Sequence, residues 1–150
     1  SLEMGAALPA DVADAYQVID GEPVNVSAVN LTWSWTGGGM VSTVADLLRF
    51  ADAVFSGELL SPASFDEMFS WVSDASYGVE GFEWGMGISR YPTPVGELVG
   101  KDGDNAGSTS FMMRLIDEEI TVVVLANVAP DDGAIRMTML DAFAWALANT

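Results

Sequence analysis

The chain contains neither histidine nor cysteine among its 150 residues. Without histidine it lacks the commonest general base and the commonest metal ligand, and a Ser-His-Asp triad cannot form within it. Without cysteine it has no disulfide, no thiol nucleophile and no zinc-thiolate site. Its acidic residues are scattered singly or in pairs, unlike the spacing of a cation-binding loop, so we expect no metal and no other cofactor.

Positive charge is scarce as well. One lysine and four arginines stand against 22 acidic residues, which gives a net charge of −17 at pH 7. This field repels phosphate backbones and anionic lipids, so nucleic acid is excluded as a partner class. An acidic surface almost free of lysine is also typical of proteins that work in concentrated salt, which screens the repulsion. No apolar run approaches the ~20 residues of a membrane-spanning helix, and we expect no membrane span.

Large apolar residues, in contrast, are plentiful. Half of the chain is apolar, and five residues are tryptophan. A disordered chain pairs high charge with few large apolar groups, so this composition predicts a folded protein. A chain of this length can bury roughly 70% of the surface that its unfolded form exposes. No linker or repeat interrupts it, and we interpret residues 1–150 as a single domain.

Two helices are predicted in the first half of the chain. Thr43 is a candidate N-cap because Asp46 follows three residues later and apolar residues then recur at helical spacing. Ser61 is a candidate N-cap for the second helix, with Pro62 at the first helical position, where its missing N–H costs nothing. The apolar face of this second helix is predicted to extend to Val72.

Strand-like spacing marks much of the remaining chain. An irregular hairpin is predicted near the N-terminus, with its turn at Asp20 and Gly21. From residue 82 onward, the pattern predicts a strand at 82–88, a turn at 91–94, and strands at 108–115 and 120–126. The sequence therefore predicts an α+β fold, with an antiparallel sheet of about three to five strands flanked by helices.

The last third of the chain indicates which sides of the sheet are covered. Residues 108–115 alternate between apolar and polar, which predicts one buried face and one partly wet face. Residues 120–126 are apolar throughout, as in a central strand covered on both sides. The final helix is predicted to open at Asp131 and Asp132, and its apolar residues predict that it packs on the sheet.

The single lysine lies among glycines and polar residues at 100–110, between two predicted strands. Two interpretations of Lys101 follow from the residues alone. An isolated lysine between glycines is ordinarily a solvated loop residue, with its stem against the surface and its charge in water. Alternatively, Lys101 is part of an active site. The local pattern leaves both interpretations open.

Five segments occur in an order that is more specific than any one of them. They are GGMVSTVADLLRF at 38–50, LLSP at 59–62, WGMG at 84–87, GKDG at 100–103 followed by GSTS at 107–110, and ITVVVLAN at 120–127. This order resembles the C-terminal half of the serine β-lactamase and penicillin-binding-protein superfamily, in the class C β-lactamase-like branch that includes D-alanyl-D-alanine carboxypeptidases and esterases. The resemblance implies a partial β-lactamase-like fold and a C-terminal segment of a longer hydrolase.

The resemblance also implies a role for each residue of the lysine segment. In that family a serine attacks an amide or ester carbonyl, and the lysine-bearing strand lies along the substrate. Lys101 would supply electrostatic or proton-transfer support, and Gly103 would let the strand approach the substrate. Ser108 and Ser110 would lie near the far rim. Asp102 stands where the family commonly carries a hydroxyl residue, and a carboxylate there predicts weaker binding of anionic substrates.

Two motifs that the family needs are absent from this chain. With Lys101 as the single lysine there is no Ser-x-x-Lys nucleophile, and Tyr16, Tyr77 and Tyr91 all lack an Asn two residues on. Both motifs lie upstream of this region in the family. We therefore expect a chain that is inactive alone. Its expected partners are the missing N-terminal half of the hydrolase and, in the complete enzyme, a small amide or ester substrate.

A different class of function stays open. The chain is alternatively a non-catalytic interaction or binding domain that retains the hydrolase scaffold. In either case, separation from a packing partner would expose apolar surface, which predicts self-association into homo-oligomers.

Overall fold

The computed structural model describes residues 11–29, 32–129 and 133–149. Within these ranges the strands are β1 Tyr16–Ile19, β2 Glu22–Asn25, β3 Val72–Ser73, β4 Glu83–Trp84, β5 Ser89–Thr93, β6 Gly96–Asn105, β7 Ser108–Leu115, β8 Ile120–Ala126 and β9 Val128–Ala129. The α-helices are α1 Val44–Phe55, α2 Pro62–Met68 and α3 Ala134–Asn149. Asp131 and Asp132, predicted to open the last helix, lie outside the described residues. No helix in the described ranges is long and apolar enough to cross a bilayer.

Among the described residues, the main sheet contains six antiparallel strands in the order β3-β4-β5-β6-β7-β8. This order follows the chain, because short turns connect antiparallel neighbours. The total of six is one strand more than the upper end of the predicted three to five. Strands β3 and β4 have two residues each and are too short to show alternation in the sequence. The predicted α+β fold, with helices flanking an antiparallel sheet, is confirmed.

The strand predicted at 82–88 is reduced to β4. Beyond it the backbone donors turn out of the sheet: the N–H of Gly85 donates to the carbonyl of Ile88 at 2.8 Å, and the N–H of Met86 donates to the carbonyl of Met68 at 3.0 Å. A Cβ at Gly85 would lie 2.4 Å from that Met68 oxygen. The glycine therefore marks a close approach of two backbones, as a glycine inside a strand pattern often does.

The turn predicted at 91–94 is wrong, because strand β5 occupies most of it. Proline removes a backbone donor and is tolerated in a sheet where that donor has no partner. The last β4–β5 pair is Glu83 with Arg90. Pro92 lies beyond this pair, where β5 has a neighbour only on the β6 side, so the strand continues through it.

The predicted helix starts are confirmed, but one helix ends early. The Thr43 hydroxyl accepts a hydrogen bond from the N–H of Asp46 at 3.2 Å, and the Ser61 side chain caps α2 in the same way. Helix α2 ends at Met68, whose carbonyl is used by the turn after β4 instead of by a further helical turn. Val72 therefore lies on β3 and is exposed rather than on the buried face of a helix.

Different helices cover the two faces of the main sheet. On β7 the guanidinium of Arg114 lies 5.2 Å from the ring of Phe55 in α1. Alternate residues of a strand point to opposite faces, so the intervening side chains face α3. The buried cluster on that side includes Phe111, Met113, Leu115, Met139 and Phe143. We call these two sides the α1 face and the α3 face. The predicted packing of the C-terminal helix on the sheet is confirmed.

Strand β8 was predicted to be a central strand, but it is the last strand of the main sheet. Both α1 and α3 pack on it, so the prediction of two covered faces is right. Within the described residues it pairs laterally with β7 alone. An apolar run indicates only that both faces of a strand are covered. Lateral pairing uses backbone groups, so the side-chain pattern does not show whether a strand is central or at an edge.

A small second sheet supports the turn between β6 and β7. Its β1–β2 hairpin is confirmed, with positive φ values of 52° at Asp20 and 85° at Gly21. The N–H of Tyr16 at the start of β1 reaches the carbonyl of Gly107 at 3.3 Å. Gly107 has φ +78°, and a Cβ there would lie 2.6 Å from Cγ2 of Val26. The contact therefore requires glycine, and it fixes the far end of β6.

Candidate active site

Strand β6 extends beyond its neighbour β5. The last β5–β6 pair is Ser89 with Gly100, whereas β6 stays paired with β7 as far as Asn105 opposite Ser108. Within the described ranges, residues 101–105 therefore have a strand neighbour on one side only, and we call them the open segment. An open strand edge presents backbone donors and acceptors to which an extended ligand can pair.

The buried end of β6 fixes where the open segment starts. A Cβ on Gly100 would lie 2.1 Å from the carbonyl oxygen of Met112 and 2.8 Å from the Cα of Met113, so no larger residue fits. The buried hydroxyl of Ser89 donates to the carbonyl of Gly100 at 3.3 Å. Lys101 therefore follows directly after a tightly packed point of the strand.

Lys101 is anchored by three contacts. Its ammonium donates to the backbone carbonyl of Asp102 at 2.5 Å and lies 3.4 Å from Oδ1 of the same residue. The Nζ atom also lies 5.4 Å from the ring centre of Trp84, within the range of a cation–π contact. The side chain is still 45% exposed, and these contacts place a positive charge at the start of the open segment.

Asp102 connects Lys101 to the C-terminal helix. Its side chain enters the α3 face and is only 11% exposed. Oδ1 lies 3.4 Å from the ammonium of Lys101, and Oδ2 lies 3.3 Å from Nη2 of Arg136 on α3. The guanidinium of Arg136 in turn lies 5.3 Å from the ring of Phe111. One nearly buried carboxylate is therefore paired with two cations.

Sequence reasoning missed Arg136. A signal for it was present, because it is one of four arginines and stands in a helix of apolar residues that was predicted to pack on the sheet. A charged side chain on such a helix is rarely buried without a partner of opposite charge. The local pattern did not indicate that Asp102 is that partner.

Two tyrosines lie within electrostatic range of Asp102 and Arg136. Burial raises the pKa of Tyr91 above its ordinary value, with Arg136 opposing the shift and Asp102 adding to it. Burial also raises the pKa of Tyr77, and the charge of Asp102 adds to that shift. Since the ordinary value is already near 10, both hydroxyls stay protonated at neutral pH. Neither supplies a phenolate base.

The other residues that the sequence predicts to line the substrate lie on β6 and β7. Gly103 is opposite Ser110, whose hydroxyl donates to the Gly103 carbonyl at 3.4 Å. A Cβ at Gly103 would meet only that hydroxyl oxygen, at 3.9 Å, so the strand is open to approach there. Ser108 lies farther along, at the hairpin tip. By strand alternation Lys101, Gly103 and Ser110 belong to the α1 face, opposite to Asp102.

A loop from the first half of the chain is attached to the end of the open segment. Nδ2 of Asn105 donates to Oγ of Ser34 at 3.1 Å and to the carbonyl of Gly38 at 3.3 Å. In the same loop Trp35 has a positive φ of 37°, and its carbonyl accepts from the N–H of Gly39 at 2.9 Å. A Cβ on Gly39 would lie 2.7 Å from that oxygen. The glycine pair thus allows a strained turn that carries an exposed tryptophan.

The chain is similar to known proteins in sequence and in fold. The family model described as Beta-lactamase matches residues 3–144. The chain belongs to the β-lactamase family. This β-lactamase-family chain is 30% identical over 96 residues to penicillin-binding protein 4* of Bacillus subtilis (strain 168). The resemblance that the sequence predicts is confirmed.

Solved structures agree on the fold of this β-lactamase-family chain. It aligns with a D-stereospecific amidohydrolase from Streptomyces sp. over 91% of its length, at 23% identity and a TM-score of 0.74. It aligns with D-amino acid amidase from Ochrobactrum anthropi SV3, in complex with L-phenylalanine amide, over 91% of its length, at 24% identity and a TM-score of 0.76.

The chain is much shorter than these relatives. The match covers 21% of the Bacillus subtilis protein and 63% of this chain. It covers 41% of the Streptomyces structure and 42% of the Ochrobactrum structure. The β-lactamase-family chain thus corresponds to part of a larger hydrolase fold.

Proposed function

We propose that this chain is the C-terminal part of a serine hydrolase that cleaves an amide or ester bond through an acyl-enzyme. We further propose that Lys101, Asp102 and Gly103 form its substrate-lining strand. The observation that carries the proposal is the open segment, an unpaired strand edge that begins with an anchored ammonium. Family membership supports the reaction class, and the open edge supports the role of the strand.

The reaction places defined demands on such a strand. A serine oxygen attacks the carbonyl carbon, the carbonyl oxygen becomes an oxyanion, and the leaving amine or alcohol takes a proton as the acyl-serine forms. Water then attacks the acyl-serine, which releases the acid and returns the serine. Fixed backbone donors and a nearby cation stabilise the oxyanion in both steps. Adjacent residues of an extended strand direct their N–H groups to opposite edges, so we assign the open-edge donor of this strand to Asp102. We assign electrostatic or proton-transfer support to Lys101.

Small amides are the substrate class that we propose for the complete enzyme. The two solved relatives are named as an amidohydrolase and an amidase, and both share the arrangement of this chain at the level of fold. The same acyl-enzyme chemistry also cleaves esters, since the leaving group is the only difference. An esterase or a D-alanyl-D-alanine carboxypeptidase is therefore the alternative within this class.

The nucleophile is proposed to come from the remainder of a longer protein. This chain has one lysine, Lys101, so it contains no Ser-x-x-Lys motif. The solved relatives are more than twice as long as the matched region, which leaves ample length for that motif. We therefore propose that the isolated chain is inactive.

Covalent labelling tests this proposal. The isolated chain and the longer protein that carries it are incubated with a fluorescent penicillin, and turnover of a p-nitrophenyl ester is measured in parallel. We expect turnover of the uncharged ester from the longer protein, and neither turnover nor labelling from the isolated chain. Labelling of the isolated chain would contradict its inactivity. A longer protein without Ser-x-x-Lys and without ester turnover would instead support the non-catalytic interaction domain.

Self-association of the separated chain stays a prediction. Several large apolar side chains are more than half exposed, as expected for a surface that packs against another part of a protein. They are Trp35, Leu59, Met40, Val72, Met86, Met137 and Trp145. A monomer at high concentration in analytical ultracentrifugation would count against this expectation.

A further inference from the structure

We propose that Asp102 makes the site selective against substrates that carry a free carboxylate near the scissile bond. Its own carboxylate already pairs with both cations that could bind one, so amides with neutral or cationic ends are favoured. This inference rests on the proposed hydrolase function, because it concerns the substrate class of the same open segment.

Both cations at the open segment are engaged by the same side chain. Asp102 lies 3.4 Å from Lys101 and 3.3 Å from Arg136. The other three cations of the chain have acidic partners elsewhere: Arg49 with Asp46, Arg90 with Glu83, and Arg114 with Asp52 and Glu119. Among the described residues, no cation is left without an acidic partner to receive a substrate carboxylate.

The burial of Asp102 makes this pairing hard to displace. Its side chain is 11% exposed, and a carboxylate with so little access to water depends on its cations for solvation. A substrate carboxylate that took Lys101 or Arg136 would leave Asp102 short of a partner and would face a like charge at close range. An uncharged amide group meets neither penalty.

The surrounding charge acts in the same direction. Asp104, two residues further along the open segment, is exposed and bonded to the hydroxyl of Thr109 rather than to a cation. The chain as a whole carries a net charge of −17. This field repels anions at a distance and attracts amines. Asp102 differs from this general field because it acts by direct contact with Lys101 and Arg136.

The single lysine provides a site-specific reporter. Reductive methylation with ¹³C-formaldehyde labels Lys101 and otherwise only the N-terminal amine, so the Lys101 methyl signal can be followed by NMR. Two matched probes are titrated into the chain: N-acetyl-D-phenylalanine, which carries a carboxylate, and N-acetyl-D-phenylalanine amide, which does not. The variants are Asp102→Asn and Asp102→Ser, and Asp104→Asn is the matched control that removes one charge without touching either cation.

We expect the carboxylate probe to bind the Asp102→Asn chain at least about tenfold more tightly than the unaltered chain, while binding of the amide probe is unchanged. Asp102→Ser should behave in the same way, and Asp104→Asn should behave like the unaltered chain. A folded Asp102→Asn or Asp102→Ser chain that gains no affinity for the carboxylate would overturn the proposal. An equal gain in Asp104→Asn would also overturn it, because net charge would then explain the effect.

This experiment is independent of the test of the hydrolase function. It measures binding at Lys101 and needs no nucleophile or turnover. A longer protein that does not turn over the uncharged p-nitrophenyl ester would remove the hydrolase proposal, while the binding preference at Lys101 can still be measured. Penicillin carries a carboxylate beside its scissile bond, so a loss of penicillin labelling alone does not decide between the two proposals. A missing charge preference would leave the hydrolase proposal intact.

Discussion

The two halves of β6 make the same hydrogen-bonded pairing with β7 and yet differ in almost every other respect. In the half at 96–100, Leu98 and Val99 are at most 2% exposed, and residues 98–100 have strand neighbours on both sides. In the half at 101–105 one side is open, and the residues are charged, polar or glycine. The boundary is Ser89, the first residue of β5, which pairs with Gly100. An open edge is thus created where β6 extends past its neighbour.

The two halves also use glycine for opposite purposes. Gly100 is required because the backbone of β7 occupies the space of a side chain. Gly103 faces open space instead, where a ligand can approach. The packed half holds the strand in place, and the open half remains accessible. A site is positioned more accurately when it continues from a rigid element than when it lies on a separate loop.

The largest expected effect is on catalysis and comes from removing the charge of Lys101, the first residue of the open half. In the longer protein, Lys101→Met should lower kcat/KM for an amide or ester by about 10²–10⁴-fold, because it removes the cation proposed to stabilise the oxyanion or assist proton transfer. Arg49→Met removes a highly exposed cation on α1 and serves as the control. Unchanged turnover in Lys101→Met would contradict a role in catalysis for the charge at the start of the open half.

A smaller effect, on stability, should distinguish Gly100 from Gly103. Gly100→Ala forces a methyl group into the β7 backbone and should lower the free energy of unfolding by about 1–3 kcal/mol. Gly103→Ala adds the same methyl group where nothing lies closer than 3.9 Å, so its change should stay within about 0.5 kcal/mol. Urea denaturation of the two variants measures both values. Equal losses at the two positions would mean that the halves do not differ in packing.

The smallest effect concerns the pH dependence of stability, through an ion pair between β4 and β5. The hydrogen bond from Arg90 on β5 holds the pKa of Glu83 on β4 below its ordinary value. The folded state therefore binds fewer protons there than the unfolded chain, and the stabilisation is present at neutral pH. It is lost as the pH falls below the ordinary glutamate value of ~4.3 and through the folded value.

Glu83→Gln should accordingly lower the melting temperature at pH 7 and have a shrinking effect in acid. Differential scanning calorimetry of both proteins across this range measures the difference. Glu80→Gln, at an exposed position nearby, is the control and should show no such trend. A Glu83→Gln difference that stays constant with pH would show that the ion pair does not contribute in this way.

Local chemistry made part of the structure predictable. Thr43 and Ser61 could be recognised as helix caps because their hydroxyls act within three residues. The alternation of 108–115 predicted that Phe111 and its neighbours on one face are buried, since side chains alternate along a strand. The lysine strand was found for a different reason, namely the order of several motifs along the chain.

The misses share a physical cause. Val72 was assigned to a helix that ends early because a distant backbone donor takes the carbonyl of Met68. Arg136 was overlooked because its partner Asp102 lies 34 residues away in the sequence. Strand β8 was predicted to be central because its side chains report only its covered faces. In each case the decisive contact joins segments that no local pattern connects.

The sequence by itself determined the chemistry that this chain can and cannot perform. A chain with no histidine and a single lysine has neither a histidine base nor a Ser-x-x-Lys nucleophile, whatever its fold. The tertiary structure alone decided that β5 begins at Ser89, opposite Gly100, and leaves Lys101 at an open edge. It also decided that Asp102 lies between Lys101 and Arg136. Residue types are fixed along the chain, but pairing between distant strands and helices depends on how their surfaces pack.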